Sequence, residues 1–197
     1  LQIIQNQKVE LSSEAYQILL EKLLEKHRDY APAIFELAKE ALNKKQIDNA
    51  EKLSLKAWTN DESTNYLEPI ISYYLKQSDP QNTFIFITKA LSKRASVDLK
   101  LMQIRLFLHF EMIDHAREAL LEIQKSTINL LQNRYLEIFK GKLLLKEHKE
   151  REACALYESL LINPEFSIEA LLKLENILET TSQNTTPEIK KINYITG

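Results

Sequence analysis

Apolar residues in this chain gather in helix-sized clusters parted by short polar turns, and the clusters come in pairs. PAIFELAKEAL (32–42) precedes IDNAEKLSLKAW (47–58), and YLEPIISYYL (66–75) precedes PQNTFIFITKALSK (80–93). Within each cluster the apolar positions return at helical rather than alternating spacing, which predicts helix, turn, helix. The second member of the pair recurs. IDNAEKLSLKA at 47–57 matches IDHAREALLEI at 113–123, sixty-six residues on, with Ile, Asp and Ala in fixed order and a charged residue and Leu at matched offsets.

A related segment lies midway, around Thr83, and others flank the pair at Ala15 and Ala153. The anchors 15, 50, 83, 116 and 153 are separated by 35, 33, 33 and 37 residues. That period of about 34 predicts about five helical hairpins stacked as a right-handed all-α solenoid over residues 1–179. FSIEALLKLENIL (166–178) is the expected lid for its open end, and the polar tract TTSQNTTP begins a linker with a short terminal helix over 180–197. Asp79–Pro80 and Asn163–Pro164 read as helix starts, a capping side chain followed by a residue whose missing N–H costs nothing there. Ala31–Pro32 starts a helix without a capping side chain. Pro69, inside the expected first helix of its pair, predicts a late start or a kink.

Composition agrees with helices and narrows the chemistry. Only two glycines and five prolines occur in 197 residues, too few for many hairpin turns or a phosphate-cradling loop. Lys plus Arg total 26 against 28 Asp plus Glu, a net charge of −2, so the basic excess of a dedicated nucleic-acid binder is missing. The single cysteine, Cys154, excludes an internal disulfide and suits a reducing compartment. No run reaches the ~18 apolar residues of a membrane-spanning helix. The chain opens on Leu1 without a signal peptide, and it reads as a piece of a longer protein whose anchor lies elsewhere.

The pairs resemble the tetratricopeptide repeat family, whose pattern asks for small residues at the eighth and twentieth places and a small or apolar one at the twenty-seventh. Ala38, Ala50 and Ala57 fill these in one repeat, and Gly141, Ala153 and Leu160 in another. Ile71 and Ile104 depart at the eighth place, and Thr83 at the twentieth. The resemblance implies that first helices line a concave groove through, among others, their ninth and thirteenth places, four apart and so on one helix face. Those places hold Lys39 and Asn43, Ser72 and Lys76, Arg105 and His109, Lys142 and Lys146. Five of the eight are basic and none is acidic. A register one residue earlier in the third and fourth repeats would instead offer Ile104, Leu108, Gly141 and Leu145. Lys39 with Asn43 is similar to half of the carboxylate clamp of chaperone-binding members, whereas Lys76 and Arg105 with His109 depart from its other half.

These residues set the expected function: a non-catalytic protein-interaction scaffold whose basic groove, built from Lys39, Asn43, Lys76, Arg105, His109, Lys142 and Lys146, takes an acidic protein or peptide. ALNKKQIDNAEKLSLKAW (41–58) also looks like the matching stretch of HemY-type proteins. That likeness implies a soluble, cytoplasmic domain held at the bacterial inner membrane by an N-terminal anchor and scaffolding haem-forming enzymes. Single-stranded RNA binding, as in the pentatricopeptide repeats, and porphyrin binding through His109 are the alternatives. No cofactor or metal is expected: the four histidines are scattered, and Cys154, between two alanines, reads as a packed thiol. Trp58 reads as a wedge between repeats rather than a ligand platform. Nucleophile elbow, phosphate loop and dinucleotide fingerprint are all absent, which argues against an enzyme.

Overall fold

A computed structural model describes residues 13–161, together with 172–173 and 176–177. Among the described residues every regular element is helical, with nine α-helices and one 3₁₀ turn. The chain divides into two units, Leu1–Leu99 and Lys100–Gly197, with the boundary in the first turn of one helix.

Unit 1 contains α1 (Ser13–Lys26), α2 (Ala31–Asn43), α3 (Ile47–Asp61), the 3₁₀ turn Thr64–Tyr66, α4 (Glu68–Lys76) and α5 (Pro80–Lys93). α2 and α3 pack closely because alanines face each other: Ala33, Ala38, Ala50 and Ala57 are all buried. Larger side chains fill the spaces beside them. Tyr16 and Leu20 of α1 pack on Ala33, and Ala31, Ile34, Ala57 and Tyr66 form a second cluster. Trp58 is fully buried, although its indole Nε1 and the Ser54 hydroxyl one turn earlier find no hydrogen-bond partner. Pro69 delays α4 rather than kinking it: the 3₁₀ turn takes up the preceding residues, and the proline sits in the first turn.

Unit 2 contains most of α6 (Val97–His109), then α7 (Ile113–Ile123), α8 (Leu130–Lys146) and α9 (Glu150–Leu161). α8 begins with a reciprocal cap, in which the Gln132 N–H donates to Asn129 Oδ1 at 2.8 Å and the Asn129 N–H donates to Gln132 Oε1 at 3.0 Å. α8 and α9 meet at Gly141, where a Cβ would overlap the fully buried Tyr157 ring. Ile177 is buried with Ile138, Ala153, Tyr157 and Leu160. Of the expected lid over 166–178 only 172–173 and 176–177 are described; the expected linker and terminal helix over 180–197, and the Asn163–Pro164 start, lie outside the described residues.

Four turns share one geometry. Lys45, Ser78, Glu111 and His148 all adopt left-handed backbone, with φ of 59°, 52°, 59° and 58°. In each, the next residue's N–H reaches back five residues: Gln46 to Ala41 O, Asp79 to Tyr74 O, Met112 to Phe107 O and Lys149 to Leu144 O, all at 2.9–3.0 Å. This is the Schellman closure of a helix. The carbonyl of that same residue opens the following helix by accepting from the anchor N–H, Ala50, Thr83, Ala116 or Ala153. Each of these four anchors therefore stands five residues after a left-handed residue, and all four are fully buried, while the remaining anchor, Ala15, is half-buried. The hydroxyl of Thr83 is satisfied by the Asp79 carbonyl at 2.6 Å, so threonine is tolerated where the pattern asks for alanine. Asp79 also caps α5, accepting from the Asn82 N–H at 3.0 Å.

Candidate functional site

Helices α6 and α8 of unit 2 flank a recess of about 490 Å³. Arg105 and His109, four apart on α6, and Lys142 and Lys146, four apart on α8, all line it, and Lys173 adds a further cation. Leu108, Phe139 and Leu145 supply the apolar part of its wall. No carboxylate is among the described lining residues. The volume lies in the range of ordinary ligand sites.

Local chemistry explains how these side chains are held. Ile104 and Gly141 are buried, whereas the next residue in each case, Arg105 or Lys142, is exposed or half-buried. The Lys142 ammonium lies 5.5 Å from the centre of the Phe139 ring, close enough for a cation–π contact. His109 meets Phe110 edge to face at 5.0 Å. Lys146 donates to Glu111 at 2.6 Å, and this contact holds the Glu111 carboxyl below its ordinary value. Glu111 is itself well exposed, so the pair sits at the rim in water and is weak.

The recess collects four of the seven expected groove residues, Arg105, His109, Lys142 and Lys146. The register alternatives divide here: Ile104 and Gly141 are buried, whereas Leu108 and Leu145 line the recess beside the cations. Lys39, Asn43 and Lys76 belong to unit 1. Lys39 is half-buried, donates to Glu36 at 2.6 Å and lies 5.0 Å from the Phe35 ring centre. Asn43 and Lys76 are exposed at the last residues of α2 and α4. A recess of about 280 Å³ in unit 1 is lined by Glu21, Glu40, Lys44 and Asn49 among others, and by none of those three.

Sequence reasoning missed Lys173 and Phe139, and offered Leu108 and Leu145 only in place of the cations rather than beside them. Their shared place in the wall was legible in principle, since Leu108 and Leu145 each directly precede an expected groove residue. Lys173 carried no repeat signal.

Unit 1 arranges its charge differently. Glu36, Glu40 and Glu51 are buried. The Tyr74 hydroxyl donates to Glu51 at 2.5 Å and Lys89 donates to its other oxygen at 2.8 Å. Burial, followed by the Glu51 contact, pushes the Tyr74 hydroxyl well up. Burial and the neighbouring Glu36 likewise raise Tyr16 to about 12, and burial with the Asp61 hydrogen bond raises Tyr66 to about 12.

Cys154 packs beside the Ile138–Tyr157 cluster, and burial with nearby Glu158 and Glu150 pushes its thiol up, away from the reactive thiolate. Among the described residues no group of three or more His, Cys, Asp or Glu side chains could hold a metal, and no helix is long and apolar enough to cross a membrane. Compared with known proteins, the sequence matches no family model and no curated protein.

Proposed function

We propose that this chain is a non-catalytic interaction scaffold of the tetratricopeptide type, a solenoid of about five helical hairpins, and that the unit 2 recess takes an acidic segment of a protein partner. The observation that carries the reading is the convergence of Arg105, His109, Lys142, Lys146 and Lys173 on one recess with an apolar wall. Carboxylates entering it would gain charge-assisted hydrogen bonds from several donors at once, while the wall keeps water from screening them. Support for the repeat architecture comes from the four turns at Lys45, Ser78, Glu111 and His148, alike in φ and in hydrogen bonding and in step with the buried anchors. The HemY-type resemblance adds the expectation that the full-length protein works at the bacterial inner membrane beside haem-forming enzymes.

Fluorescence anisotropy with a labelled Asp/Glu-rich peptide tests the binding reading. Replacing Arg105 and Lys142 together by Glu should weaken binding at least about tenfold, and added salt should weaken it for the native chain. Lys39→Glu should leave it unchanged, because Lys39 is already engaged by Glu36. Equal binding by the charge-reversed chain would overturn the proposal. Tighter capture of single-stranded RNA than of peptide, or a Soret shift on haem addition that His109→Ala abolishes, would replace it with one of the alternatives.

A further inference from the structure

Helix α8 carries apolar side chains along most of its length. From Leu136 onward several are enclosed, with Leu136, Ile138, Phe139 and Leu143 buried. Nearer the N-terminal end the face continuous with Ile138 and Phe139 is open: Leu131 is 57% exposed and Tyr135, one turn on, is 45% exposed. Tyr135 then stacks on Phe139, with ring centres 6.3 Å apart. An exposed apolar run that continues a buried face is expected to be covered by a partner.

This exposed run leads into the recess. Leu131, Tyr135, Phe139, Lys142 and Lys146 follow one another in steps of four, four, three and four, which confines them to an arc of about 80° and a length of roughly 22 Å on a regular helix. Phe139 joins the two halves, for it stacks on Tyr135 and lies under the Lys142 ammonium. Uncharged apolar surface at the N-terminal end thus gives way to a cluster of cations at the C-terminal end.

We infer that this stripe and the recess form one bipartite docking surface for a peptide segment of a protein partner, apolar or aromatic at one end and acidic at the other. The inference rests on the proposed acidic-segment reading and adds the apolar half and its direction along α8. Charge complementarity fixes which end of the segment lies where: carboxylates enter among Arg105, Lys142 and Lys146, and an apolar side chain covers Tyr135 and Leu131. A peptide fits better than a lipid surface because the cations line a recess, which a bilayer cannot enter, rather than a protruding ridge.

The test uses a labelled fifteen-residue peptide with Leu and Phe in its first half and Asp and Glu in its second, titrated with the full chain. A peptide of equal charge lacking Leu and Phe, and one with the two halves interleaved, serve as controls. The bipartite peptide should bind at least about tenfold more tightly than either control. Replacing Leu131 and Tyr135 together by Ser should erase that advantage with helical circular dichroism unchanged, since both side chains are exposed, and Tyr135→Trp should keep it. If all three peptides bind equally and the Ser variant behaves as the native chain, the bipartite surface is wrong while the acidic-segment reading stands. Failure of every acidic peptide removes both. Tyr135-dependent binding of phosphatidylserine vesicles or of single-stranded RNA, without peptide binding, overturns the inference in favour of that surface or nucleic acid.

Discussion

The two units build the same turn and use charge in opposite ways. In unit 1 the acidic side chains Glu36, Glu40 and Glu51 are turned inward, and Lys39 and Lys89 are spent on Glu36 and Glu51. In unit 2 cations gather round a recess with no described carboxylate in its lining, and Glu111 pairs with Lys146 only at the rim. A buried carboxylate must be paired or hydrogen-bonded to tolerate its surroundings, so the unit 1 charges stabilise that unit and attract little. The unit 2 cations stand at a wet opening, where a partner can replace water. One backbone plan therefore yields one half in which Lys39 and Lys89 pair with buried carboxylates and one half whose cations line a recess, the half we propose as the partner site.

The sharpest way to break this comparison is at the eighth place of the repeat pattern, where unit 1 has Ala38 and unit 2 has Gly141. Ala38 fits its site with 2% exposure, whereas any Cβ at 141 collides with the enclosed Tyr157 ring. Gly141→Ala should cost about 1–3 kcal/mol, read as a lower thermal midpoint, with hydrogen exchange rising first over α8 and α9. An unchanged midpoint would mean that the close approach of those helices is not what this glycine provides.

Acid and alkali should separate the units next. Tyr16, Tyr66 and Tyr74 have folded pKa values above the ordinary 10.0, so their contribution is complete below pH 10; it is lost as pH rises through about 12 for Tyr16 and Tyr66, and at still higher pH for Tyr74. In unit 2, Glu147 accepts from Lys149 and Arg117, and these hydrogen bonds hold its carboxyl below the ordinary 4.5. Its contribution is complete above pH 4.5 and fades as pH falls through the lowered folded value. Amide exchange should accordingly loosen first around α1 and α4 in alkali and around the α8–α9 turn in acid. Glu147→Gln should flatten the acid response alone.

The smallest effect should be the one the units share. Ser78 and His148 pay the left-handed strain that glycine avoids. Ser78→Gly and His148→Gly should each raise stability by up to about 1 kcal/mol, despite the entropy glycine adds to the unfolded chain. Equal gains in thermal midpoint would mark the turns as equivalent; a loss in one would single out its side chain as more than a turn residue.

Much of the helical layout was legible. The anchors at 50, 83, 116 and 153 are fully buried, and Pro69 delays its helix. The Lys39–Glu36 pair was equally legible, being three residues apart on one helix, and shows how a cation counted for a groove can already be engaged. The left-handed turn residues were not legible, since Lys, Ser, Glu and His stand where glycine or asparagine would have signalled the conformation.

By itself the sequence determined the helices, their spacing and the small residues between them, because helix formation and close packing depend on side chains a few positions apart. Only the tertiary structure decided that Arg105, Lys142 and Lys173 surround one recess, and that Glu36 and Glu51 lie inside while Glu111 stays in water. Charges far apart in the chain become neighbours through the turns and packing between helices, and the pattern within any one helix carries no record of that meeting.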